Sequence, residues 1–287
     1  MYETWYGKYN VYGAFIEKSI RLLKREGQLI LIVPATFMIL DEFKKLRTFL
    51  SKSGDTTIIY LGPDAFKPEA DVASVVLNFH KSEKRFSHLQ LSEYSGSEIQ
   101  LIQENHRWQG EVVTFNTNYT QKLESICSHL LGDIYEIRIS PHTPEIKNNP
   151  CIINVPLQCD EGCLPLLNGR NLKCNRISYE PTTGYWIKKS EVRKLRGYFG
   201  TPHIVVGLGF RENRKVAAAH DERCYPWMGD VYHLHRKKEL FAGSSDFDQS
   251  EILEYLNSDY LRRYVKDTYR EITYHLCPTP GFCTSLN

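Results

Sequence analysis

Residues 29–33 read LILIV, a continuous apolar run of strand length set directly behind a helical stripe. Such a run reads as a strand buried on both faces of an α/β sheet, and it limits the architecture more than any other feature here. The stripe before it spans Tyr12 to Arg25, with Phe15, Ile16, Ile20, Leu22 and Leu23 at roughly helical spacing and Gly27 as a stop. After it, Asp41 is expected to cap a second amphipathic helix carrying Phe43, Leu46, Phe49 and Leu50 on one side. Two further β-rich runs follow, TTIIYLG (56–62) and VASVVLNF (72–79), joined by a loop with Pro63 and Pro68.

The order helix, strand, helix, strand, strand is the back half of a three-layer α/β domain. A doubly wound domain normally holds its nucleotide at a glycine-rich turn after the first strand, and no such turn precedes Tyr12. From about Thr117 the pattern breaks into short runs separated by Pro, Asn and Gly, which puts a domain boundary near 115–130 and suggests units at 1–120 and 121–287.

Length and composition narrow the class. The longest apolar stretch, Leu29 to Leu40, is interrupted by Pro34 and is too short for a bilayer, and MYETWYGKYN lacks the basic and apolar segments of a secretory signal. A cytoplasmic protein is expected. Its eight cysteines then read as thiols. Cys159, Cys163 and Cys174, with Cys151 upstream, invite a zinc reading, but only the first pair has common zinc spacing.

Charge points to a partner. The formal net charge is only +2, yet residues 165–225 hold 12 Lys and Arg against 5 Asp and Glu. That window forms a local basic field suited to phosphates. Arg170, Asn171, Lys173 and Arg176 cluster at its start, and GRN (169–171) joins the residue types that make bidentate bonds to guanine and adenine edges. RENRK (211–215) lies between two strand-like runs and reads as a hairpin tip bearing Arg211, Arg214 and Lys215. The stretch 191–200 is expected to be a helix with its charges facing water. His233-Leu234-His235 alternates as a strand face would.

The segment from Trp5 to Leu50, with KYN, YGAF, EK, RLLK and VPATF in order, resembles the TaqI-like DNA adenine methyltransferases. VASVVLNFHKS, PLLNGRNLK (165–173), TPHIVVG (201–207), DERCYPW (221–227) and NSDYLRRYVKDTYREITYHL (257–276) continue the likeness through most of the chain. The resemblance implies the carboxyl-terminal half of a Rossmann-like methyltransferase domain followed by a mixed α+β target-recognition domain. It implies double-stranded DNA as partner, S-adenosylmethionine as cofactor of the complete enzyme, and extrusion of the target adenine. It also implies that Phe79 stacks on the flipped base, and it places Tyr274 at the DNA.

The family's cofactor strands and its Asn/Asp-Pro-Pro-Tyr/Phe tetrapeptide do not occur in this sequence. The chain alone is therefore expected to be inactive and to bind no cofactor, needing an amino-terminal catalytic half or a partner subunit. The alternative class is a non-catalytic DNA specificity module.

Overall fold

The computed structural model describes residues 2–5, 10–70, 72–83, 86–127, 129–154, 162–209, 215–229, 231–238, 248–270 and 281–282. The chain separates into two compact units between Gln121 and Lys122, and the stretch from Lys266 to Arg270 returns to the first.

In the first unit, helix α1 (Val11–Leu22) starts at Asn10, whose side chain accepts from the Tyr12 amide. Strand β1 (Gln28–Pro34), helix α2 (Lys44–Ser53), β2 (Gly54–Gly62), β3 (Ser74–Lys81), β4 (Ser87–Tyr94) and β5 (Ile99–Trp108) follow. The sheet order is β1-β3-β2-β4-β5, with β2 and β4 parallel and the other neighbours antiparallel. Val33, Val75, Leu77, Ile58, Leu89 and Leu91 fill one face of this sheet, which is buried.

Three details depart from the sequence reading. β1 is a one-sided edge strand: Ile30 is 61% and Ile32 57% exposed. The opposite sheet face thus leaves large apolar side chains uncovered. On α1, Phe15 and Leu22 are exposed, and the buried face is Gly13, Ala14, Ile16, Glu17 and Ile20. Asp41 opens a 3-10 turn rather than capping α2, whose first flanking residue, Phe43, makes no side-chain cap.

Two buried charges anchor this unit. Glu17 accepts from the Thr4 amide and hydroxyl, the Glu3 amide and Arg21. Burial pushes its pKa up, but these bonds more than offset that and hold it below the usual carboxylate range. Arg47 donates Nη1 to the Phe37 and Leu40 carbonyls at 2.8 Å, pinning the turn that follows β1.

The second unit is built on a four-stranded antiparallel sheet. β6 (Tyr135–Ile139), β7 (His203–Gly209), β8 (Lys215–Asp221) and β9 (Val231–Arg236) lie in the order β8-β7-β9-β6. Pairing of β7 with β8 from His203↔Asp221 to Gly209↔Lys215 makes the expected hairpin. The stretch 191–200 is not a helix. Only Val192–Lys194 forms a 3-10 turn, because Val192, Leu195 and Phe199 are spaced to enter the core from an irregular loop. Arg196 there donates to Glu145 and to the Ser140 carbonyl. No helix among the described residues is long and apolar enough to cross a membrane.

Candidate nucleic-acid interface

Within the second unit, Leu172–Lys173 and Arg176–Ile177 form a minimal antiparallel hairpin whose turn residue Asn175 has φ 58°. Asn tolerates that left-handed conformation better than most residues. Leu172 joins a core of Leu167, Val205, Ala217, Ala219, Trp227 and Val231, with Ile177 and Tyr179 against its margin. The polar partners of these apolar anchors must therefore face outward. Lys173 and Arg176 sit directly opposite each other and are exposed, as is Arg170 just before the hairpin.

Like charges paired across a hairpin destabilise it. Among the described residues neither makes an ion pair, so the arrangement gains nothing from the chain's own carboxylates. An external anion would supply the missing counter-charge. Arg223 adds a fourth cation, its guanidinium 4.5 Å above the Tyr179 ring.

The support beneath these cations is dense. Asp221, fully buried, accepts from Tyr179 Oη at 3.1 Å, the Arg223 amide at 3.2 Å, the Tyr225 amide at 3.1 Å and Trp227 Nε1 at 2.9 Å. Burial, then the neighbouring carboxylate charge and hydrogen bond, push the Tyr179 hydroxyl up to about 12. Asn257, ahead of the helical stretch at 259–269, bonds both the amide and the carbonyl of Ala218 and reaches Asn175 Oδ1 at 2.8 Å. It ties the hairpin turn to β8.

Asn171 is not available to a base. It is 1% exposed, and its Nδ2 donates to the Ser178 and Glu180 carbonyls while its Oδ1 accepts from Thr182 Oγ1 and the Asn168 amide. All four of its hydrogen-bonding positions are spent stapling this loop. Arg170 is thus the member of GRN that remains free to read a base edge.

Residues 164–279 match the model of the TaqI-like C-terminal specificity domain, and residues 1–66 match that of the Eco57I restriction-modification methylase. The second unit carries a TaqI-like specificity domain. The Type II methyltransferase M.TthHB8I of Thermus thermophilus is 39% identical over 95% of this chain. The chain spans 61% of that relative's own length. The Type II restriction enzyme and methyltransferase RM.Eco57I of Escherichia coli is 44% identical over 52 residues, 18% of this chain and 5% of that protein. Among solved structures, the Type IIL restriction-modification enzyme MmeI in complex with DNA shares the fold, with TM-score 0.51 and 11% identity over 96% of this chain and 41% of that one.

The specificity domain's motifs acquire physical roles from this geometry. DERCYPW holds Asp221 and three of its four donors, and NSDY opens on Asn257. Sequence reasoning quoted both motifs but assigned neither residue a role. A buried carboxylate flanked by Tyr and Trp is the signal that could have exposed the first.

Phe79 needs correction. It is 0% exposed, paired across the sheet from Leu29 and Thr56, and its ring end lies 2.8 Å from where a Cβ on Gly54 would stand. A ring closed in on all sides offers no face to a base, so Phe79 is a core phenylalanine, packed beside a Gly54 at which the His80 carbonyl leaves no room for a Cβ. Arg211, Arg214 and Tyr274 lie outside the described residues, as does the side chain of Lys215. Cys159 is also outside them, and Cys151 donates to Glu191 rather than to a metal cluster.

Proposed function

We propose that this chain is the recognition-bearing part of a site-specific DNA adenine methyltransferase of a restriction-modification system, and that its second unit holds duplex DNA. The observation that carries this is the exposed Lys173–Arg176 cross-strand pair, with exposed Arg170 just before it and Arg223 over the Tyr179 ring, on a unit matching a specificity domain. Arg170 is the base reader in this scheme, while Lys173, Arg176 and Arg223 neutralise phosphates. Arg211, Arg214 and Lys215 extend the same function along the β7–β8 connection.

S-adenosylmethionine would be the methyl donor of the full enzyme, and the adenine amine would reach it by leaving the stack. The described residues do not fit that cofactor: no strand of either unit is followed by a glycine-rich turn opening a helix. The free edge of β1 and the exposed Ile30 and Ile32 are where we propose that the rest of a methyltransferase sheet joins. Acting alone, the chain should incorporate no methyl label into mixed-sequence duplex, and turnover by the pure chain would sink that part of the reading.

DNA affinity, followed by fluorescence anisotropy, is the direct test. With the three phosphates assigned to Lys173, Arg176 and Arg223 neutralised, log affinity should fall against log salt with a slope of about −3, and more steeply where Arg211, Arg214 and Lys215 add theirs. Lys173→Ala should weaken all sequences alike and reduce the slope by about 1, whereas Arg170→Ala should cost about 1–3 kcal/mol on the preferred site and relax one base position. Salt-independent binding, or a combined Arg170, Lys173 and Arg176 to Ala variant that binds as the parent does, would contradict the assignment.

A further inference from the structure

The β4–β5 hairpin of the first unit carries a cluster of candidate metal ligands, His88, Glu104 and His106. The pairing Ser87↔Trp108 and Leu89↔Asn105 leaves His88 opposite two residues, His106 and Arg107, which is a bulge on β5. A bulge re-aims the side chains beside it. Here the two imidazoles stack, 4.6 Å between centres and 12° from parallel. Both face one carboxylate: His88 Nε2 is 3.9 Å from Glu104 Oε1 and His106 Nε2 is 3.9 Å from Glu104 Oε2.

One atom in this group is unexplained by the protein itself. His88 Nε2 is shut off from solvent and has no hydrogen-bond partner, although a buried polar atom left unpaired costs free energy. From this orphaned nitrogen and its two neighbours, we propose that His88, Glu104 and His106 bind a divalent cation of the zinc class.

The three ligand atoms lie within 4.8 Å of one another. A tetrahedral zinc with bonds of about 2.0–2.1 Å needs its ligands roughly 3.3–3.5 Å apart, so small side-chain rotations close the site. Two imidazoles and one carboxylate suit zinc, cobalt, nickel or copper, whereas magnesium and calcium prefer oxygen alone. The surroundings are also those of a ligand set. Gln90 Nε2 donates to Glu104 Oε1 at 3.2 Å, and Asp55 Oδ1 accepts from the His88 amide at 2.9 Å, so carboxylate and backbone are both held. Three protein ligands leave one position for water. The ion would clamp the edge strand β5 to β4.

The experiment uses the full chain and Zn2+ alone, measuring affinity by competition with a chromogenic chelator and histidine protection from diethyl pyrocarbonate by peptide mass mapping. His106 is 76% exposed at its side chain, so His106→Gln should fold as the parent does. The parent should bind one equivalent more than either His106→Gln or Glu104→Gln, each weakening that equivalent more than about tenfold. Zn2+ should shield the exposed His106 in the parent, and a large excess of Mg2+ should not displace it. Absence of that equivalent, its persistence in both variants, protection confined to other histidines, or displacement by Mg2+ would each overturn the proposal.

Discussion

Asp221→Ala is expected to cost about 3–5 kcal/mol of stability in the recognition unit, measured as a lower midpoint in urea with the slope unchanged. The magnitude follows from what the carboxylate serves. Four donors converge on it, two of them side-chain groups on Tyr179 and Trp227, and truncation strands them in a core that holds Trp227. Each buried donor left unpaired costs about 1–3 kcal/mol, and water entering the vacated space recovers part of the total. Asp221→Asn separates charge from shape. It keeps the volume, but its amide must confront one of the donors, and it removes the charge that helps hold the Tyr179 hydroxyl at about 12. Spectrophotometric titration should therefore show the Tyr179 value moving down toward 10 in a folded Asp221→Asn variant. If both variants unfold like the parent, Asp221 is not the keystone of this unit. Because Arg223 stands over Tyr179 and Leu172 lies in the same core, loss of Asp221 should also weaken DNA binding before unfolding is complete.

What was legible in the sequence follows from how local each cause is. The strand at 28–34 and the β7–β8 hairpin were readable because an apolar run of strand length is its own evidence. That β1 lies at an edge was not, since a run suited to burial on both faces looks the same whether or not the second face is covered. Phe79 and Asn171 failed in a shared way. An aromatic at a strand end and an Asn beside an Arg have the right chemistry for a base, but only packing tells whether that chemistry is already used inside. Arg170, Lys173 and Arg176 held their place on the surface because Leu172 and Ile177, alternating with them, are drawn inward. The opposition of Lys173 to Arg176 depends on a two-residue turn with Asn175 at positive φ, which is visible in sequence only as a Cys-Asn pair between two charges. Return of residues 266–270 to the first unit was hidden for another reason. It rests on long-range bonds, such as the Phe115 amide to the Thr268 carbonyl and Arg270 to Glu93, which leave no local pattern.

The recognition unit should also lose stability steeply as pH falls below about 6.5, through a buried histidine pair. His203 Nδ1 lies 2.7 Å from the Thr201 carbonyl, His203 Nε2 is 2.8 Å from His233 Nδ1, and His233 Nε2 is 2.8 Å from Ser140 Oγ. A carbonyl only accepts, so His203 donates from Nδ1 and accepts at Nε2; His233 then donates from Nδ1 and accepts from the Ser140 hydroxyl. Every proton in the chain is placed when both rings are neutral; a further proton can be taken only by turning the Ser140 hydroxyl into an acceptor, and it leaves a positive charge buried on the pair. Burial, then the neighbouring His203 and Arg138, depress His233 to about 3, and burial likewise lowers His203. The sign follows from proton counting. Between about 6.5 and 3 the unfolded chain binds a proton that folded His233 refuses, and His203 acts in the same direction, so the stabilisation is complete above 6.5 and is lost as pH falls. Each neutral ring contributes a slope of up to about 1.4 kcal/mol per pH unit. Over pH 6.5 to 5, above most carboxylate titrations, His233 should thus remove about 2 kcal/mol, with His203 adding in the same direction. His233→Gln keeps one donor and one acceptor without a titrating ring, and it should lower that acid slope by about 1.4 kcal/mol per unit whatever it costs at pH 8. Urea melts of parent and variant at half-unit steps decide the matter, and parallel slopes would show that the protons enter elsewhere.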